Sequence, residues 1–235
     1  MRPIPYLRML AQLLRRSPEK GARSMSTLQE QIERTLLPGM RVPEPLALLF
    51  GWIEGKGYFI DRNNQRIGFL ADWAKERAGG THIELLAEGN VHLESWFGHD
   101  RPEVLDRLYV FAKTGAEGSM AAFWIDDHGT QRIVHLGSGP GGSTLVCVLA
   151  DDPVDFLRLL AIGYDEICWS SKFSRPPNSG SGLFVHPNVE YQNWVTETFS
   201  VGIPKTAAEI VKHPSELDDP ESLDDFCQWV EKNHG

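Results

Sequence analysis

Asp126, Asp127, Asp151, Asp152, Asp155, Asp165 and Glu166 crowd the middle of this 235-residue chain. Paired carboxylates can divide acid and base roles in hydrolysis, or hold a divalent metal. Both kinds of chemistry need side chains that converge, whereas sequence neighbours on a strand or turn point apart. Asp126 and Asp127 adjoin within Asp126-Asp127-His128-Gly129, a composition suited to a hairpin turn with Gly129 at positive φ. Asp152 stands before Pro153, where an N-cap precedes the first helical residue. These residues have structural roles to hand, and the group reads as a solvated or partner-facing acidic surface. No catalytic residue is assigned.

Other reactive groupings are less complete. The run GSGPGGST from Gly137 lacks the lysine of a phosphate loop, and it joins strand to strand where a helix N-terminus is needed. Glu54-Gly55-Lys56 spells half of a metal-dependent nuclease site, but the upstream aspartate is missing, since the first Asp in the chain is Asp61. The eight histidines include no pair three or four residues apart, which excludes a helical two-histidine zinc site. No serine-hydrolase elbow of the GxSxG type is present. Cys147, Cys168 and Cys227 form no CxxC pair, and none has a neighbouring histidine to activate it. They read as small buried hydrophobes in a reducing cytoplasm. No metal and no cofactor is expected. Trp124 reads as core, while Trp52, Trp169 and Trp194 fall near loops or element ends, where an aromatic can anchor a partner.

Charge divides the chain unevenly. The whole carries −9, yet residues 1–24 hold six basic side chains against Glu19, a sum of +5, which leaves −14 on residues 25–235. An acidic body lacks the basic stripe that nucleic acid requires, and it suits a basic partner. No apolar run approaches the roughly 18 residues of a membrane helix. The prefix 1–24 has a short apolar segment broken by Arg8 and no cleavage signature, so it is read as a disordered or non-native extension with the native start at Met25.

The elements that must position these residues follow from spacing. Ser26 and Gln29 suggest a capping box for a helix that presents Leu28, Ile32 and Leu36. Leu46, Leu49, Phe50 and Ile53 predict a second helix. GKGYFID and QRIGFLA alternate as a hairpin around Arg62-Asn63-Asn64. THIELLAEGNVHLESWF fits strand or helix, and LYVFAKTG reads as a strand. SMAAFWI and LVCVLA are apolar on both faces and are expected to be central strands. Asp152 to Gly163 bounds a helix with Phe156, Leu157 and Leu160 inward. Beyond it the chain turns loop-rich, most flexible over Ser174–Gly182. A Pro-started helix is expected at IPKTAAEIV, and a last helix presents Leu223, Phe226, Cys227 and Val230.

PEPLALLFGW, AAFWIDDHGTQRIVHL and LADDPVDFLRLLA, in this order, resemble the SUKH superfamily. That superfamily groups yeast Smi/Knr-type cell-wall regulators with many bacterial immunity proteins. The resemblance spans about residues 26–165, with Gly118 matching the glycine before the first strand of the block, while residues 73–102 depart from the pattern. It implies an α+β fold with a mixed or antiparallel central sheet flanked by helices, no enzymatic activity, and in bacteria a frequent role in neutralising a toxin. On this reading residues 25–165 form the core, and residues 166–235 form a loop-rich, helical C-terminal extension packed on it. The expected function is that of a cytoplasmic immunity or antitoxin-like protein whose acidic surface occludes the basic cleft of a cognate toxin, such as a nuclease. Asp126, Asp127, Asp165, Glu166 and Trp169 are the expected partner contacts, chosen for exposure and charge rather than from a family motif. A regulatory scaffold for housekeeping partners and a carboxylate-based hydrolase are the alternatives. Neither nucleic acid nor membrane is expected as a direct partner, and the sequence leaves the oligomeric state open.

Overall fold

The computed structural model describes residues 27–74, 79–180 and 184–234. The prefix 1–24, the expected start at Met25 and the end of the loop-rich stretch, residues 181–182, lie outside them. Seven strands form one sheet in chain order, each antiparallel to the next: β1 Phe59–Arg62, β2 Gln65–Gly68, β3 Glu84–Gly89, β4 Leu108–Lys113, β5 Met120–Ile125, β6 Gln131–Leu136 and β7 Val146–Ala150. Helices α1 Leu28–Thr35, α2 Glu44–Lys56, α3 Leu93–Phe97, α4 Pro102–Leu105, α5 Pro153–Ile162, α6 Val189–Phe199 and α7 Asp225–Asn233 cover both faces. The class is α+β, as expected, with the antiparallel option realised. Among the described residues no helix is long and apolar enough to cross a membrane.

Period-two alternation divides the strands between two cores. On β5, Ala121 and Phe123 face one core with Tyr109, Phe111, Ile133, Cys147 and Leu149, beneath α1, α2, α5 and α6. Met120, Ala122 and Trp124 face the other with Val134, Leu136 and Val146, beneath α3, α4 and α7. Double coverage is why SMAAFWI shows no polar alternation. The hairpin of β1 and β2 turns at Asn63 and Asn64, with φ of 53° and 63°, as the asparagine pair predicts.

The ambiguous stretch resolves into both options, β3 followed by α3. Several boundaries move. The capping box belongs to Thr27 and Glu30, one residue on from the expected pair of Ser26 and Gln29. Ser26 lies outside the described residues. β7 is not central: it is the last strand of the sheet. It reads as central because both of its faces are covered, Cys147 and Leu149 in one core and Val146 in the other, and the following chain hides its edge as well. Ser215 O accepts from Val146 N–H (2.8 Å), Leu217 N–H donates to Thr144 O (2.7 Å), and Val148 N–H donates to Asp224 Oδ2 (2.9 Å). IPKTAAEIV yields only a 3₁₀ turn at Ala207–Glu209, closed by its own capping box from Thr206 to Glu209. The helix that sequence spacing missed is α6, capped by Asn188, whose Oδ1 accepts from Tyr191 N–H (3.0 Å) and whose Nδ2 donates to Leu70 O (2.7 Å). Leu223, expected on the buried stripe of the last helix, is 71% exposed and precedes α7, whose buried residues are Phe226, Cys227, Trp229 and Val230.

Candidate functional site

The expected contacts fall at opposite ends of β5. Asp126 and Asp127 follow its last residue. Glu166 is tied to the turn before its first, through Ala116 N–H to Glu166 Oε1 (2.8 Å). Six residues of strand place these ends about 20 Å apart. The structure therefore forms two separate patches.

At the first end, Asp126 is not the exposed contact its position suggested. It is 7% exposed, and its Oδ1 accepts from His128 N–H (2.9 Å) and Thr130 N–H (2.8 Å), stapling the hairpin. Its other oxygen faces Arg132 Nε at 3.4 Å. Arg132 sits at the centre of a lattice, with Asp225 Oδ2 at 2.7 Å and Asp151 Oδ1 at 3.5 Å, and Lys212 closes on Asp151 at 2.7 Å. Asp127, with a 73% exposed side chain, pairs with Arg107 at 2.8 Å. The Arg107 contact holds the Asp127 carboxyl below its ordinary range. The Arg107 guanidinium in turn stacks on Trp229, 5.1 Å from its centroid. A shallow pocket lined by Asp126, Asp127, His128, Asp225 and Trp229 continues past Asp225 into a second one lined by Arg132, Asp151, Lys212, His213 and Leu223. Sequence reasoning missed Arg132 and Asp225, because only the fold brings α7 against the β5–β6 turn.

At the second end, Asp165 pairs with Lys172 (2.7 Å) and is exposed. Burial pushes its carboxyl up, but Lys172 and the Glu166 N–H outweigh this and hold it low. Glu166 is half-buried and committed: Ala116 N–H and Trp169 Nε1–H (3.1 Å) both donate to it. These bonds overcome its desolvation and depress its pKa. Trp169 is half-buried on that bond. Cys168, 1% exposed, lies beside Glu166 and Glu117. Burial, then those two carboxylates, push its thiol far up.

One histidine and the other two thiols are sequestered. His135 is fully buried, its Nδ1 2.8 Å from Leu145 O and its Nε2 2.9 Å from Thr114 Oγ1. A carbonyl only accepts, so Nδ1 carries the proton and Nε2 accepts from the hydroxyl. Desolvation lowers its pKa to about 4. Cys147 and Cys227 are buried thiols with raised pKa, each foremost by desolvation. Glu54, the acid of the half nuclease motif, accepts from Leu28 N–H (2.8 Å) and from Arg66 (2.7 Å). No protein-family model matches the chain, and no curated protein or solved structure matches it.

Proposed function

We propose that this chain is a non-catalytic binding protein of the immunity type, acting in the cytoplasm, that occludes a basic surface on a cognate toxin. The observation that carries the reading is the face around the β5–β6 turn and the start of α7. Leu223, 71% exposed, lines the same pocket as Asp225, whose exposed carboxylate also borders the adjoining pocket that holds Asp127, and the chain just before Leu223 adds exposed Asp218 and Glu221. An apolar side chain within a charged rim has the anatomy of a protein interface, and although Arg132, Lys212 and Lys232 share that rim, the −14 carried by residues 25–235 favours a basic partner. Arg132 and Arg107 hold Asp225 and Asp127 in place without covering them. The resemblance to the SUKH superfamily points the same way. Burial leaves His135 and the three thiols unpoised as base or nucleophile, while exposed His128 and His213 line the face itself. Three free cysteines suit a reducing compartment.

The test is capture of the partner by the full chain from its native lysate, repeated with Asp127→Lys/Asp225→Lys. One stoichiometric partner with a basic toxin domain, whose capture falls roughly tenfold or more on charge reversal, is expected. Several housekeeping partners would favour the scaffold reading. Capture of the same toxin undiminished by the reversal would move the interface elsewhere on the molecule.

A further inference from the structure

The far end of β5 holds an arrangement that the binding function does not use. Glu117, in the turn between β4 and β5, meets Glu166 and Cys168 from the segment after α5, and one ligand-capable atom of each lies within 4.8 Å of the others. The outer oxygens are already occupied: Ser119 Oγ donates to Glu117 Oε1, and Ala116 N–H donates to Glu166 Oε1. Glu117 Oε2 is left buried with no hydrogen-bond partner, a costly state for a carboxylate oxygen. The inner oxygen of Glu166 is shared by the Trp169 indole and, at 3.7 Å, by the Cys168 thiol. Among the described residues no basic side chain pairs with Glu117 or Glu166. Backbone is cleared around the group. A Cβ on Gly115 would overlap Glu117 Oε2 and press within 2.9 Å of Cys168 Sγ, and one on Gly142 would come within 2.9 Å of Glu117 Cγ.

Two half-buried carboxylates and a buried thiol, converging without a counter-charge, ask for a small cation. The donor set selects its kind. Magnesium and calcium take oxygen ligands, whereas one sulfur with carboxylate oxygens suits zinc, which accepts mixed sulfur and oxygen sets. The bonds to the outer oxygens hold both carboxylates in the orientation a metal would need. We propose that Glu117, Glu166 and Cys168 form a zinc site that pins the β4–β5 turn to the chain after α5. This departs from the sequence expectation of no metal, because the ligands come from segments that only the fold brings together. On binding, a sulfur–zinc bond replaces the S–H bond of Cys168 and one proton passes to solvent, so affinity rises with pH. The site lies at the opposite end of the strand from the proposed docking face and does not depend on it.

The test uses the full chain stripped with a chelator and titrated with Co²⁺, then Zn²⁺, with no partner present. One Co²⁺ per chain is expected, with a thiolate-to-cobalt charge-transfer band that Zn²⁺ displaces and a Zn²⁺-dependent rise in Tm. Cys168→Ser should abolish the band, Glu117→Gln should weaken binding roughly tenfold or more, and Cys227→Ala should leave both intact. Absence of a stoichiometric thiolate band in the unaltered chain overturns the proposal, whatever the variants do. A Tm rise without that band is adventitious binding by surface histidines and overturns it equally. A band that survives Cys168→Ser places the metal on another thiol.

Discussion

At the scale of single residues, the polar groups inside this protein are held in one protonation state or one bonding role. His135 is the sharpest case, a neutral imidazole whose folded pKa is about 4. The unfolded chain takes up that proton near pH 6.5. Between these values acid favours the unfolded state, so stability is highest above the window and falls as pH drops through it, by roughly 3 kcal/mol if fully expressed. Urea unfolding at about pH 7 and about pH 4 should show this loss, and His135→Gln should flatten it. Equal pH dependence in both proteins would assign the acid sensitivity to other groups. Asp224 shows the second kind of commitment. Its Oδ1 caps α7 by accepting from Phe226 N–H (3.0 Å) and Cys227 N–H (2.9 Å), while Oδ2 accepts from Val148 N–H on the edge of β7. Asp224→Ala removes the cap and leaves a half-buried donor unpaired, at a cost of about 2–4 kcal/mol in urea unfolding. Asp224→Asn keeps the cap and turns an amide donor toward Val148, so it should fall between the two. A loss within about 0.5 kcal/mol for the alanine variant would mean the helix start is held by packing alone.

Among elements, spacing was legible wherever one face decided it. Leu46, Leu49, Phe50 and Ile53 are fully buried on α2, and Asp152 caps α5 with its Oδ1 accepting from Val154 N–H (2.8 Å). The Asp126–Gly129 turn is likewise where its composition puts it. α6 was hidden because the aromatics that bury it, Tyr191 and Trp194, are satisfied by a neighbour on α2: Trp52 meets both rings at 5.7 and 5.4 Å. An isolated stretch carries no trace of such a partner. The same reason misplaced β7, whose apolar edge is covered by a strap more than sixty residues along the chain, as the Leu145–Glu216 bridge records. The contacts chosen for exposure fared alike: Glu166 is framed by Ala116, fifty residues back, and Asp126 by Arg132 across its own hairpin, neither of which exposure-based reasoning on one stretch reveals. An exposed apolar edge invites pairing with other chains, so the strap protects as well as stabilises. Leu217→Pro removes the N–H that bonds Thr144 O and should loosen it. Amide exchange at Val146, which donates to the strap at Ser215, should then quicken tenfold or so, while Ala122 in the central strand β5 keeps its protection. Unchanged exchange at Val146 would show that β7 holds its edge without the strap.

Over the whole molecule, charge is patterned more than it is abundant. The basic prefix and the acidic body pull in opposite directions on any charged partner: −9 for the full chain and −14 for residues 25–235. Long-range steering follows the net field, whereas the bound state follows local fit at the face around Asp127 and Asp225. These contributions separate in kinetics. With a basic partner, the 25–235 fragment should associate faster than the full chain at low salt, and the two rates should converge as the Debye length shrinks to about 8 Å near 0.15 M. Dissociation should follow the contacts at the face around Asp127 and Asp225. Charge reversal at Asp127 and Asp225 shifts the net field nearly as far as the prefix does and also changes what the partner touches, so it should both slow low-salt association and speed dissociation. Stopped-flow association across a salt series reads both effects on one plot. Equal low-salt rates for the two lengths would mean that the prefix does not offset the acidic body, leaving the local face to set the encounter.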